Sequence, residues 1–243
     1  MSRWLKPLSL KLTLAGLILL TVGCGSNGQS QIRMINAIPD GQPADIYING
    51  NRVIENFSFG QVYPAPATPA SYVSVDSGTA TFQAFPPAET TNPVSPTGPA
   101  TFVGATEYTV VAAGLELNDY PPVVLTDDNT PPSAGNVELR IINASLNSPP
   151  HGVDVYILPP GADIVNYQAQ ISGLSYTQAS TYQPITFAAG GYAVIFTANQ
   201  SKQVIFSWPL APQSGSITTL VLMDNPGGSS GMSHTPLVLN DLN

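Results

Sequence analysis

Arg33-Met34-Ile35-Asn36-Ala37 returns as Arg140-Ile141-Ile142-Asn143-Ala144. Ala44-Asp45-Ile46-Tyr47-Ile48 follows the first copy, and Val153-Asp154-Val155-Tyr156-Ile157 follows the second. The offset is 107 at the arginines and 109 at the aspartates, so only two residues separate the two spacings. One unit has been duplicated, and the fold must accommodate it twice.

The recurring runs have strand composition, with β-branched and aromatic residues bounded by Gly, Pro, Asn and Asp. In the first unit these runs are Ile32–Ala37, Ala44–Ile48, Tyr72–Asp76, Thr79–Phe85, Glu107–Ala113 and Pro122–Leu125. In the second they are Val137–Asn143, Val153–Ile157, Pro184–Phe187, Tyr192–Ala198, Gln203–Trp208, Ile217–Met223 and Pro236–Leu239. Ser77–Phe82 matches Ala189–Val194, and Glu107–Val111 matches Ser216–Leu220. Past the amino-terminal leader, no segment shows ten residues of apolar 3.6 periodicity. Short strands without intervening helices predict an all-β chain: two tandem antiparallel β-sandwich domains of immunoglobulin-like type. The expected boundaries are 32–130 and 136–243, joined by a linker of Asp, Asn, Thr and Pro beginning at Asp127. Thr90–Ala100, with Pro93, Pro96 and Pro99, reads as a long loop.

Residues 1–23 read as a cleaved signal peptide, and 24–31 as a tether. Arg3, Lys6 and Lys11 precede an apolar run from Leu12 to Val22, too short to remain as a membrane span. Leu20-Thr21-Val22-Gly23-Cys24 resembles the lipobox of bacterial lipoproteins, with Thr21 a departure from its usual leucine. Cys24 is the sole cysteine, so no internal disulfide is available and acylation accounts for its position. The resemblance implies a lipid-anchored, extracytoplasmic protein. Gly25 after the cysteine implies the outer membrane in a cell that has one.

All fifteen acidic residues lie beyond Cys24, against four basic ones (Arg33, Arg52, Arg140 and Lys202), which gives a net charge of −11 there. Such a surface repels nucleic acid and anionic lipid. The expected partners are the membrane, through the lipid, and an envelope protein or polysaccharide.

The sequence Arg-x-Ile-Asn-Ala, then Asp-x-Tyr, then Phe59-Gly60-Gln61-Val62, then Tyr108-Thr109-Val110-Val111-Ala112-Ala113-Gly114, resembles the bacterial envelope family called domain of unknown function 4397. The resemblance covers nearly all of 31–243 in two copies. In the second copy the Tyr-Thr-Val-Val-Ala stretch departs to Thr218-Thr219-Leu220-Val221-Leu222. It implies a β-sandwich in a secreted or surface-anchored protein and carries no activity with it.

Two of the four basic residues beyond Cys24 occupy the same place in the two repeats. Strand alternation puts Arg33, Ile35 and Ala37 on one face, and Met34 and Asn36 on the other. The expectation is that Arg33 pairs with Asp45 and Arg140 with Asp154, each pair pinning a hairpin. Asn36 and Asn143 are expected to bond backbone in the following turn.

Other candidate chemistry is thinner. Gly227-Gly228-Ser229-Ser230-Gly231 with His234 formally matches a nucleophile elbow, but no helix follows and Asp241 comes after the histidine. His151 and His234, without cysteine partners, make a poor zinc or copper set. Asp119, Asp127 and Asp128 are weak calcium candidates, since their spacing is not that of an alternating-ligand loop. Tyr63, Tyr120 and Trp208, each before a proline, are candidate platforms for sugars. The expected function is a non-enzymatic, lipid-anchored envelope protein serving as a binding or structural spacer module, with no resident cofactor. A carbohydrate-binding accessory module is the alternative, and a hydrolase comes third.

Overall fold

The computed structural model describes residues 28–67, 69–116, 121–226 and 234–242, without the side chains of 95 and 96. The first half forms β1 (Gln29–Ala37), β2 (Ala44–Ile48), β3 (Asn51–Phe57), β4 (Val62–Tyr63), β5 (Val73–Asp76), β6 (Gly78–Phe85), β7 (Val94–Phe102), β8 (Glu107–Ala113) and β9 (Val123–Thr126). The second half forms β10 (Asn136–Asn143), β11 (Val153–Leu158), β12 (Ile171–Leu174), β13 (Gln183–Thr186), β14 (Tyr192–Ala198), β15 (Val204–Leu210), β16 (Ile217–Asp224) and β17 (His234–Asn240). Among the described residues the helical content is a 3-10 turn at Ile164–Asn166. The chain is an all-β sandwich protein.

The two halves repeat one topology. β3-β2-β6-β7 is an outer sheet in the first half, and β12-β11-β14-β15 matches it in the second. The inner sheets are β4-β1-β8-β9, with β5 also on β1, and β13-β10-β16-β17. Even β4 has a counterpart. Its pairing of Ile35 with Val62 is echoed by an isolated bridge between Ile142 and Ala179.

The sheets are mostly antiparallel, with one departure repeated in each half. β1 runs parallel to β8, and β10 runs parallel to β16. Parallel pairs sit where both faces are covered, and their strands read as near-continuous apolar runs. That is the case here: every residue of β16 is buried, as are the last six of β8.

Three cores explain the burial. Ile32, Met34 and Val110 pack with Ile46, Phe82 and Phe102 inside the first sandwich. Leu139, Ile141 and Leu220 pack with Val155, Val194 and Phe196 inside the second. Between the two inner sheets lies the third core, where Ile35, Ala37, Val111 and Ala113 meet Ile142, Ala144, Val221 and Met223. The inner sheets therefore use alternate residues for their own sandwich and for each other, as a two-residue period allows. The molecule is a stack of four sheets.

Three expectations are corrected. Thr90–Ala100 is not a loop: most of it is β7, an edge strand on β6 with Thr81 opposite Pro99 and Ala84 opposite Val94. Proline is tolerated there because an edge strand can turn its missing donor away from the ladder, and Gly98, at φ 138°, lies in the irregular stretch. The first strand begins at Gln29, so the last three residues of the expected tether, 29–31, are strand. β3 and β12 carry exposed polar residues that hide strand character. The β2–β3 hairpin turns through Asn49 and Gly50 at φ 52° and 78°, the positive-φ pair that a tight hairpin requires.

Candidate functional site

Arg33 and Arg140 extend from the inner strands into the joint between the sandwiches, on the amino-terminal side of the apolar contacts. Each guanidinium is almost wholly buried, at 3% and 2% exposure. Burial of a guanidinium demands a full set of acceptors, and the two arginines find theirs in the same way. Arg33 Nε donates to Thr109 Oγ1 of its own half at 2.8 Å. Its Nη1 donates to the Asn240 carbonyl at 3.2 Å and its Nη2 to Asp241 at 2.6 Å, both in the other half. Arg140 Nε donates to its own Thr219 at 2.9 Å. Its Nη1 donates to the Thr126 carbonyl at 3.2 Å, and its Nη2 lies 2.8 Å from Asp127, again across the joint. The cross terms, Arg33 to Asp127 and Arg140 to Asp241, are each 3.5 Å.

The acids are held just as tightly. Thr109 donates to Asp127 at 2.7 Å, and Thr219 donates to Asp241. The Tyr72 hydroxyl donates to Asp127 at 2.9 Å, and that of Tyr182 to Asp241 at 2.8 Å. The same tyrosine rings cover the arginines, at 5.5 Å for Arg33 over Tyr72 and 4.6 Å for Arg140 over Tyr182. Each half thus contributes one arginine, one threonine, one aspartate and one tyrosine, and the set is electrically neutral. Its isologous pattern is that of a two-fold interface, here within one chain.

The electrostatics follow from enclosure. Burial alone would lower the Arg33 guanidinium, but the carboxylates of Asp241 and Asp127 outweigh it and hold the group above its usual value. Burial pushes the Tyr72 hydroxyl up, with Asp127 adding to the effect. Burial, then Asp241, does the same to Tyr182. Both phenols remain protonated donors. Chemically the set holds the two inner sheets together; its groups are spent on one another.

The pairing expected from sequence is therefore wrong in its partners. Asp45 does not meet Arg33: it takes the backbone N–H of Asn56 at 3.0 Å and half-exposed Arg52 at 3.2 Å. Asp154 takes the backbone N–H groups of Gly173 and Gln200, both at 2.8 Å. The reason is facing. Arg33 and Arg140 point outward from the inner sheets, whereas Asp45 and Asp154 belong to the outer sheets on the far side of each core. The true acids carry a recurrence of their own. Pro122-Val123-Val124-Leu125-Thr126-Asp127 returns as Pro236-Leu237-Val238-Leu239-Asn240-Asp241, at an offset of 114.

Asn36 donates to the Phe57 carbonyl at 2.9 Å and accepts from Ile38 N–H at 3.0 Å. Asn143 donates to the Leu174 carbonyl at 3.0 Å and accepts from Ser145 N–H at 3.2 Å. Each ties the end of an inner strand to an outer sheet. Asp127 is committed to the arginines rather than open to calcium. Asp128 is exposed and held below its usual range by the Thr130 backbone N–H. Asp119, Ser229, Tyr120 and Cys24 lie outside the described residues. His151 is exposed, while His234 is buried at the start of β17. Tyr63 and Trp208 are half-buried and pack on the two sandwich cores.

Fold and joint together define a class: paired β-sandwiches closed face to face by a neutral set of buried charges. The family model described as domain of unknown function (DUF4397) matches residues 30–156, just over half of the chain, and the chain belongs to that family. The matched span includes Arg33, Thr109, Asp127 and Arg140. No curated protein matches the chain.

Proposed function

We propose that this is a lipid-anchored envelope protein of two tandem family domains, exported under the leader at 1–23 and held by Cys24. Its role is that of a non-enzymatic binding or structural spacer module at the cell surface or in the periplasm. The observation that carries this reading is the joint. A shared apolar core and four mutually neutralising buried charges make one body of two sandwiches, which suits a rigid scaffold. The attachment is short. The Gly28 carbonyl already accepts from Ser77 N–H, and four residues from Cys24 span at most about 14 Å. A lipid at Cys24 would hold the body against the membrane, with the ends of β1 and β8 at Ala37 and Ala113 directed away from it. That end of the body is where an envelope protein or polysaccharide would engage.

Labelling cells with an alkyne palmitate and fractionating their membranes tests the anchor. The wild-type chain is expected in the membrane fraction with the label, and Cys24→Ser unlabelled and released. An unlabelled, soluble wild-type chain would overturn the reading.

A further inference from the structure

His234 opens β17 and is buried to 7% exposure, yet among the described residues neither ring nitrogen has a hydrogen-bond partner. Buried polar atoms almost always find partners, so an unpaired imidazole in the interior calls for an explanation. Its ring lies 5.9 Å from the ring of Phe206 on β15. Asp224 on β16 is its cross-strand neighbour. Among the described residues, Asp224 is the charged group that acts on the ring; Phe206 and the 145–147 turn bring none. The Asp224 carboxylate is already engaged by the Ser145 hydroxyl and by the N–H groups of Leu146 at 2.8 Å and Asn147 at 3.4 Å.

The position gives the histidine leverage. β17 is an edge strand, paired only with β16. Its Leu239 packs in the core between the sandwiches, and Asp241, just past its end, takes Arg33 across the joint. We propose that His234 is an acid-operated latch: protonation expels the unpartnered ring to water, frees β17, and withdraws Asp241 from the joint. A neutral imidazole is tolerated among apolar neighbours, whereas an imidazolium carries two N–H donors, and among the described residues neither ring nitrogen has an acceptor.

The sign follows from burial. Burial lowers the histidine's pKa below 6.5, and Asp224 opposes this only in part. A group depressed in the folded state stabilises it above the unfolded value, and that stability is lost as pH falls below about 6.5. Between pH 7.5 and 5.5 the population with β17 released rises, with a ceiling of about tenfold set by an enclosed ring that takes up no proton at all.

The test uses the full chain beyond the leader, with Cys24→Ser, and follows hydrogen exchange in β17 and β10 at the two pH values, corrected for intrinsic rates. The expected result is a loss of protection in β17 at pH 5.5, of up to about tenfold and larger than in β10, that disappears in His234→Phe and His234→Gln. Equal protection at both pH values would overturn the proposal, as would the same loss in both variants. If the variants do not fold, the imidazole titration of the wild-type chain decides, read against the ordinary imidazole value of about 6.5. His234 titrating below that value supports the latch; titrating at or above it means Asp224 holds the imidazolium in place, and the latch is refuted.

Discussion

Replacing Arg33 by methionine removes one of two cations from a neutral joint while keeping most of the side chain's volume. Asp241 loses its 2.6 Å partner and Asp127 its 3.5 Å neighbour, leaving two buried carboxylates to share Arg140. Thr109 loses its Nε donor, and the Asn240 carbonyl its Nη1 donor. Removing one member of a buried ion pair costs about 3–5 kcal/mol, because the remaining charge is stranded. Against a native stability of roughly 5–15 kcal/mol, that loss is readily measured. Removing both members, with Arg33→Met and Asp241→Leu, restores neutrality and leaves the Arg140–Asp127 pair at 2.8 Å intact. The double variant therefore costs less than the sum of the two single variants, by about 2 kcal/mol of coupling. Urea unfolding followed by the fluorescence of Trp208, the sole tryptophan beyond the leader, measures both. A single-variant cost below about 1 kcal/mol, or strict additivity in the double, would refute the assignment of energy to the joint.

Other consequences are smaller and more local. Thr109→Val keeps shape but deletes the hydroxyl that receives Arg33 Nε and donates to Asp127, and should cost about 2 kcal/mol in the same unfolding assay. Gly152→Ala should cost more than Gly50→Ala. Both sit at positive φ, but a Cβ at Gly152 would lie 2.8 Å from the Gly173 backbone, whereas that at Gly50 meets open space; the Gly50 cost is about 1 kcal/mol, by thermal melting. In alkaline titration followed at 295 nm, Tyr72 and Tyr182 should ionise only as the chain unfolds, since both are raised from 10.0. Their contribution is intact below about pH 10 and is lost as pH climbs from there towards the raised folded values, and Tyr72→Phe should shrink the late absorbance step.

Much of the fold can be read from the sequence because period-two alternation and turn residues are local. β8 and β14 coincide with runs visible in the sequence, and the matching of β6 with β14 and β8 with β16 is the topology found. β7 escaped because its prolines argue for a loop until its edge position is known. The parallel pairing of β1 with β8 is a long-range fact that no run of residues announces. The face of Arg33 was legible from alternation, but its partner was not. Choosing Asp45 assumed that the nearest recurring acid in sequence was the nearest in space. In a chain whose halves pack face to face, an outward arginine is satisfied by the other half, and only the recurrence of Asp127 as Asp241 could have pointed there.

The reciprocal joint is tested most directly by disturbing one half and reading the other. Asp241→Asn lies at the far end of the second half, and hydrogen exchange in β1 and β8 of the first half reports whether Arg33 depends on it. Faster exchange in β1 and β8 is expected with Asp241→Asn, while Asp154→Asn, whose bonds stay within the second half, leaves those strands unchanged. If Asp241→Asn leaves the first half as protected as in the wild type, the two sandwiches are not held together by the buried charges.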